Sequence, residues 1–291
     1  MIKKKILIQL DPDTHASVFD AVVAIDAGVD HLLQYRGVKP DQVRDLVHGA
    51  MFTRGPEDLH STAVFVGGSD VAAGEALLKA VTECFFGPMR VSALLDANGA
   101  NTTAAAAVLA AGDHVPLNGS TTLVLAATGP VGQRAVRLLA REGARVRVAS
   151  RRRDRAEAVC EAVATLVDGA DLESLETNSP ETTAPALAGA DIVIAAGAAG
   201  VELLPADVRR GYRSLRVAID LNAVPPAGIA GVEVTDKAVE RDGTVCYGAI
   251  GIGGRKMKIH KAAIRKLFER NDQVLDAEEV YAIGREQREL V

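Results

Sequence analysis

Short apolar runs alternate with amphipathic stretches along most of the chain. Ile6–Leu10 is an apolar run of strand length, and Ser17 then opens a helical spacing through Val18, Ala21, Val22 and Ile25 to Gly28. The same reading predicts a strand at 31–35, a helix at 40–51, a strand at 62–66, a helix at 70–83 and a strand at 91–95. Strands alternating with helices of this length imply a parallel sheet covered on both faces. An Ala-rich helix follows over 101–111, with Asn101 or Thr102 as its N-cap. Residues 112–120 (Gly-Asp-His-Val-Pro-Leu-Asn-Gly-Ser) break the periodicity and read as a linker.

The alternation then resumes with a strand at 121–126, a helix at 130–142, a strand at 145–149 and a helix at 154–166. A loose polar region spans 168–185. Strands at 191–195 and 216–220 follow, the second leading into Asn222-Ala223-Val224-Pro225-Pro226. After Gly253-Gly254 comes one long helical pattern, then a short helix from Asp276. The expected architecture is α/β, two lobes each with a parallel sheet flanked by helices. The expected division is 1–114 plus 255–291 for one lobe and 115–254 for the other. The C-terminal segment is expected to pack back across the first lobe, leaving a cleft.

Composition narrows the class. With 3% aromatics and no Trp among 291 residues, the core must be aliphatic. A net charge of −5 gives no electrostatic reason to expect nucleic acid or an anionic membrane as partner. Cys84, Cys160 and Cys246 are far apart and show no metal-ligand spacing, so they read as free thiols of a reducing compartment, and no metal is expected. The basic start is followed by too short an apolar run for a signal peptide, and no run is long enough to span a membrane, so a cytoplasmic protein is expected.

The chemistry is most legible at Ala127-Thr128-Gly129-Pro130-Val131-Gly132, which lies between a buried-strand run and an apolar helix. This is a dinucleotide fingerprint in its strand–turn–helix context, with Ala127 at the first glycine position. Gly129 lets the backbone approach a pyrophosphate and Gly132 lets the helix pack on the strand. Pro130 suits the first helical position, and the helix N-terminus faces the phosphates. At the end of the next strand, where NAD-preferring enzymes place a carboxylate, stand Ser150, Arg151, Arg152 and Arg153, with Arg155 just beyond. Guanidinium forks hold a 2′-phosphate well, which points to NADP. The lobe at 115–254 is therefore expected to be a Rossmann-type NADP-binding domain, and 1–114 plus 255–291 the substrate domain. Ala196 and Gly197 end a third strand and allow close backbone approach to the cofactor.

Several stretches together resemble the methylene-tetrahydromethanopterin dehydrogenases of one-carbon metabolism in methylotrophic bacteria. They are Ser17-Val18-Phe19-Asp20, Thr53-Arg54-Gly55, Phe65-Val66-Gly67-Gly68 and Phe86-Gly87-Pro88. To these are added the segments 98–104 (Asn-Gly-Ala-Asn-Thr-Thr-Ala), 220–229 (Asp-Leu-Asn-Ala-Val-Pro-Pro-Ala-Gly-Ile) and 248–258 (Gly-Ala-Ile-Gly-Ile-Gly-Gly-Arg-Lys-Met-Lys). The likeness is to the NADP-specific branch, whose members also act on methylene-tetrahydrofolate. Two departures are Ala127 for the usual glycine and a connection over 112–120 that looks short. The resemblance implies hydride transfer from a methylene carbon to NADP, giving the methenyl form, with no proton to move. It also implies a homo-oligomer, a trimer or hexamer.

On that reading the candidate catalytic residues are Asp20 and Lys256. Asp20 binds the pterin's amino-pyrimidine edge or lies beside the developing cation; an exposed helix-surface Asp is the bland alternative. Candidate substrate ligands are Asp20, Asn98, Asn101, Thr102, Thr103, Lys256 and Lys258. Asn98 to Thr103 follow a strand's C-terminal end, although one of them is expected to cap a helix. Lys256 and Lys258 are read as opening the last long helix at the end its dipole disfavours. Candidate cofactor ligands are Thr128, Gly129, Pro130, Val131, Gly132, Ser150, Arg151, Arg152, Arg155, Ala196, Gly197 and Asn222. His260 shares a stripe with Met257, Ile264 and Leu267 and reads as packing. The competing readings are a tetrahydrofolate-specific methylene dehydrogenase and a non-catalytic NADP-binding sensor.

Overall fold

The computed structural model describes residues 3–289. The chain divides into two compact units, Met1–Thr102 with Met257–Val291, and Thr103–Lys256. Two helices therefore carry the division within them.

Unit 1 holds β1 (Ile6–Leu10), α1 (Val18–Asp26), β2 (His31–Tyr35), α2 (Val43–Phe52), β3 (Thr62–Val66), α3 (Val71–Glu83) and β4 (Ser92–Leu95). α4 (Ala100–Gly112) leaves it. In unit 2 follow β5 (Thr121–Leu125), α5 (Pro130–Arg141), β6 (Arg145–Ser150), α6 (Arg153–Ala164), β7 (Leu172–Glu176), α7 (Pro180–Leu187), β8 (Ile192–Ala195) and α8 (Ala206–Arg210). Then come β9 (Val217–Asp220), β10 (Lys237–Arg241), β11 (Thr244–Tyr247) and α9 (Ala249–Lys266), which returns to unit 1 for β12 (Val274–Leu275) and α10 (Ala277–Glu289).

The unit 1 sheet is parallel throughout, in the order β12-β4-β3-β1-β2. Its order reverses between β1 and β3, both central, and β3 is buried along its whole length. The unit 2 sheet runs β10-β11-β9-β8-β5-β6-β7, parallel except for the β10–β11 hairpin. Here the order reverses between β5 and β8. The core of this unit is aliphatic, built from residues such as Leu123, Leu187, Val193, Leu204 and Ile229. The expected α/β fold with two parallel sheets is what the structure shows.

Several local expectations are corrected. Asn101 and Thr102 do not cap α4; they lie inside it. Asp96 caps it instead, its carboxylate accepting the Thr102 N–H at 3.0 Å and the Thr102 hydroxyl at 2.7 Å. The polar stretch after 168 holds β7 and α7. The hairpin of β10 and β11 was not anticipated; its turn is Asp242-Gly243, with φ of 52° and 79°, the left-handed pair that a two-residue hairpin turn requires. α9 begins at Ala249 rather than after Gly254, so Lys256 and Lys258 stand about two turns into the helix. The argument from an unfavourable dipole at that end therefore does not apply to them.

Candidate functional site

In open α/β sheets ligands bind outside the carboxyl ends of the strands, where the strand order reverses. Each unit has one such crevice, and each gathers sequence-predicted residues.

In unit 2 the crevice lies between β5 and β8. β5 is followed directly by Ala126, a left-handed alanine with φ 52°, so the strained turn residue precedes Ala127. Ala127 itself is fully buried. Gly129 caps α5 with extended φ and ψ of −74° and 162°, and Pro130 occupies the first turn, as the fingerprint predicts. A β-carbon built on Gly132 would stand 2.8 Å from the Ala127 Cα and 3.0 Å from the Ala126 carbonyl oxygen. Gly132 is therefore required by helix–strand packing. A β-carbon on Gly129 would meet nothing nearer than the Ala196 carbonyl oxygen at 3.7 Å. That is ordinary van der Waals contact, so the protein's own packing does not require glycine there, and the adjoining N-terminus of α5 offers N–H groups and positive dipole to an anion. Ala196 and Gly197 follow β8 directly, so two of the predicted cofactor segments meet within one unit. Thr128, Pro130 and Val131 lie on the same turn.

At the end of β6, Ser150 is buried and its hydroxyl accepts the Arg152 N–H at 3.4 Å. The Arg152 guanidinium grips Asp154, Nε–Oδ1 3.0 Å and Nη2–Oδ2 2.5 Å, which holds the Asp154 carboxyl below its ordinary range. Arg153 pairs with Glu157 at 3.3 Å. Two of the four cations are thus balanced locally, which removes much of the electrostatic conflict at the start of α6. Arg151 and Arg155 are exposed, and among the described residues neither forms a salt bridge, although the Arg155 charge helps to lower the Asp154 pKa. Asn222 is buried; its amide donates to the Pro226 carbonyl at 3.0 Å and its oxygen accepts the Val224 N–H at 3.0 Å. Its side chain is committed to its own loop.

In unit 1 the crevice lies between β1 and β3, and it brings together residues far apart in sequence. Ser17 caps α1 through the Asp20 N–H at 3.2 Å. The half-buried Asp20 carboxylate then reaches the end of β3, its Oδ2 lying 3.2 Å from where a Gly67 β-carbon would be. Asp11, fully buried at the end of β1, points at the same place and accepts the Asp13 and Ser17 N–H groups at 2.9 and 3.0 Å. Asn98 is exposed and left-handed, φ 53°, with its N–H on the Gly68 carbonyl at 2.6 Å. Asn101 is buried, its amide donating to the Leu95 carbonyl and to Asp276, so Asn101 and Thr102 are structural partners of the α4 start. Of the remaining candidates, Lys258 belongs to unit 1 and is exposed, whereas Thr103 on α4 and Lys256 on α9, both half-buried, are the first and last residues of unit 2.

Asp11 and His260 were missed as members of this group. His260 is 1% exposed, stacks on Phe65 at 5.6 Å and lies 3.9 Å from the Asp96 carboxylate. The helical stripe marked His260 as buried, but nothing in its spacing marked Asp96, 164 positions earlier, as its neighbour. Among the described residues no group of three or more His, Cys, Asp or Glu could hold a metal ion, and no helix is long and apolar enough to cross a membrane.

A model described as methylene-tetrahydromethanopterin dehydrogenase, N-terminal, matches residues 18–98, and one described as NAD(P)H-binding matches 126–269. The chain is 47% identical over 289 residues to the "Bifunctional protein MdtA" of Methylorubrum extorquens, covering 98% of this chain and 99% of that one. The chain belongs to the methylene-tetrahydromethanopterin dehydrogenase family. A second family member from the same organism, an NAD(P)-dependent methylenetetrahydromethanopterin dehydrogenase, is 32% identical with 97% and 98% coverage. The resemblance read from the sequence is thereby borne out.

Among solved structures, the ligand-free 5-ketofructose reductase of Gluconobacter sp. strain CHM43 superposes with a TM-score of 0.53 at 15% identity, covering 99% of this chain and 100% of that one. The NAD-dependent malic enzyme of Thermotoga maritima gives 0.53 at 13%, covering 96% and 82%. At those identities the likeness is one of fold, and the family's assignment rests on the two sequence relatives.

Proposed function

We propose that this chain is an NADP-dependent dehydrogenase that takes hydride from the methylene group of methylene-tetrahydromethanopterin, and also of methylene-tetrahydrofolate, leaving the methenyl form. The observation that carries this reading is near-complete alignment at 47% identity with a bifunctional family member. It is joined to a nucleotide crevice in which the protein's own packing does not require residue 129 to be glycine.

The residues fit a dinucleotide. The Thr128–Gly132 turn and the N-terminus of α5 would hold the pyrophosphate, Arg151 and Arg155 the 2′-phosphate with Ser150 beside them, and Ala196 and Gly197 the nicotinamide-side ribose. Bound there, NADP supplies the hydride acceptor. The rest of the work is done by the chain: it positions the pterin, excludes water and places charge. Orientation of this kind supplies about 7–11 kcal/mol of barrier lowering in favourable cases. Unit 1 would take the pterin at its β1–β3 crevice. Asp20, backed by the buried Asp11, faces it with negative charge suited either to the amino-pyrimidine edge or to the cation that develops as hydride leaves. Asn98 with its left-handed backbone, Thr103, Lys256 and Lys258 are the remaining candidates for polar contact with substrate.

The deciding experiment is NADPH formation when the purified protein is given NADP with methylene-tetrahydromethanopterin, and separately with methylene-tetrahydrofolate. NADP binding without NADPH formation from either carrier would overturn the enzyme reading. Within it, Asp20→Asn is expected to lower kcat while NADP affinity stays at the wild-type value; equal loss of both would make Asp20 structural. We further propose a cytoplasmic homo-oligomer, a trimer or hexamer. The exposed apolar stripe of Val18, Val22 and Ile25 on α1 supports self-association, and a monomeric mass by light scattering would overturn it.

A further inference from the structure

The segment after β9 has buried feet and an exposed tip. Asp220 is 2% exposed. Its Oδ1 accepts the Asn222 N–H at 3.0 Å, its Oδ2 accepts the Ile229 N–H at 2.9 Å, and the Gly228 N–H also reaches the carboxylate. Gly228 sits so close that a β-carbon there would lie 2.9 Å from Oδ1. One carboxylate thus gathers both ends of the loop. Nested inside, Asn222 braces the loop through Val224 and Pro226.

The tip, residues 223–226, is Ala-Val-Pro-Pro and exposed. It is tied to the crevice rim: the Val224 carbonyl accepts the Gly200 N–H at 3.2 Å, and Leu221 N–H reaches the Ala195 carbonyl at 3.0 Å. A buried carboxylate is costly unless its hydrogen bonds are supplied. Here they are supplied by the backbone of a single loop beside the nucleotide crevice.

We propose that Asp220 is a positioning residue for hydride transfer: with Asn222 it holds the apolar 223–226 tip rigid, as a wall for the planar nicotinamide half of the cofactor. It acts through the loop and touches no reacting atom. The inference rests on the dinucleotide reading of the β5–β8 crevice and adds to it the device that orders its nicotinamide end.

The test compares the full-length wild type with Asp220→Asn and Asn222→Ala. Affinities are measured by calorimetry for NADP and for adenosine 2′,5′-bisphosphate, which keeps the adenosine half and its 2′-phosphate but lacks nicotinamide. Asp220→Asn keeps the size but turns one acceptor oxygen into a donor facing an N–H. It is expected to weaken NADP about tenfold and to lower kcat, with the bisphosphate bound as by wild type. Asn222→Ala is expected to show the same split, and it decides the matter if Asp220→Asn does not fold. Equal weakening of both ligands, or unchanged NADP affinity and kcat, overturns the proposal. A wild type that binds neither ligand overturns the dinucleotide reading itself, which separates the two failures.

Discussion

Gly132 lies against Ala127 so closely that a single added carbon would stand 2.8 Å from the Ala127 Cα, while one added to Gly129, three residues earlier, would meet nothing nearer than the Ala196 carbonyl oxygen at 3.7 Å, an ordinary contact. The two motif glycines therefore answer to different demands. Gly132→Ala forces backbone apart and is expected to cost about 1–3 kcal/mol, read as a lower melting temperature. Gly129→Ala fits the protein and its extended backbone, so stability should hold while NADP affinity falls. A Gly129→Ala protein that melts as early as Gly132→Ala would remove the argument that Gly129 is kept for a ligand.

Ala126 carries the strain of the phosphate turn, not Ala127. A left-handed alanine costs about 1–2 kcal/mol, part of which glycine would recover against its own larger loss of chain entropy. Ala126→Gly is expected to stabilise the protein by about 0.5–1 kcal/mol, seen as a raised melting temperature. A fall would mean that the Ala126 methyl, 3.6 Å from where a Gly197 β-carbon would lie, packs more usefully than the turn is strained.

What the sequence made legible follows burial. β1, β3, β4, β5, β8 and β9 are interior strands, so their runs are nearly continuous in Ile, Leu, Val and Ala, and both crevices could be anticipated from where those runs end. β7, read as Leu-Glu-Ser-Leu-Glu, and β10, with Lys237, Glu240 and Arg241, are edge strands. Edges are protected by charge, which hides them from a hydrophobic scan, although Asp242-Gly243 was a usable hairpin signal. Gly253 and Gly254 read in sequence as a break, yet α9 runs through them from Ala249. The glycines that matter there are Gly248 and Gly251, whose β-carbons would collide with the Glu233 and Asp236 carbonyl oxygens. Such close approach between helix and loop leaves only a composition trace. Of the proposed site residues, Asp20 comes from the family resemblance and Gly129 from the fingerprint, whereas Asp11 and Asp220 look in sequence like ordinary strand-end residues.

The arginines at the end of β6 are now separable. Arg152 is held by Asp154 and Arg153 by Glu157, so the proposed 2′-phosphate contacts fall to Arg151 and Arg155. Replacing both by Ala is expected to weaken NADP by about 10–100-fold, since charged hydrogen bonds contribute about 1.5–3 kcal/mol, with NAD affinity little changed. Arg152→Ala alone should do much less. The NADP-to-NAD affinity ratio of each variant checks this, and a loss concentrated in Arg152→Ala would reverse the assignment.

Acid sensitivity has a specific source in unit 2. The Asp236 carboxylate is buried, takes Arg241 in a two-point fork at 2.6 and 2.7 Å, and accepts the Glu233 N–H at 2.9 Å. The fork is the larger cause holding its pKa below the ordinary carboxylate value, against the opposing effect of burial. A carboxyl with a depressed folded pKa adds stability that is present above its unfolded pKa and lost as pH falls through the folded one. Asp236→Asn is therefore expected to cost about 2 kcal/mol near neutrality, the scale of hydrogen bonds to charged groups. Its stability should converge with that of the wild type once the pH drops below the usual carboxylate range. Urea unfolding at stepped pH measures the gap. A gap that keeps its neutral size down to about pH 2 would show that the fork contributes by packing rather than by charge.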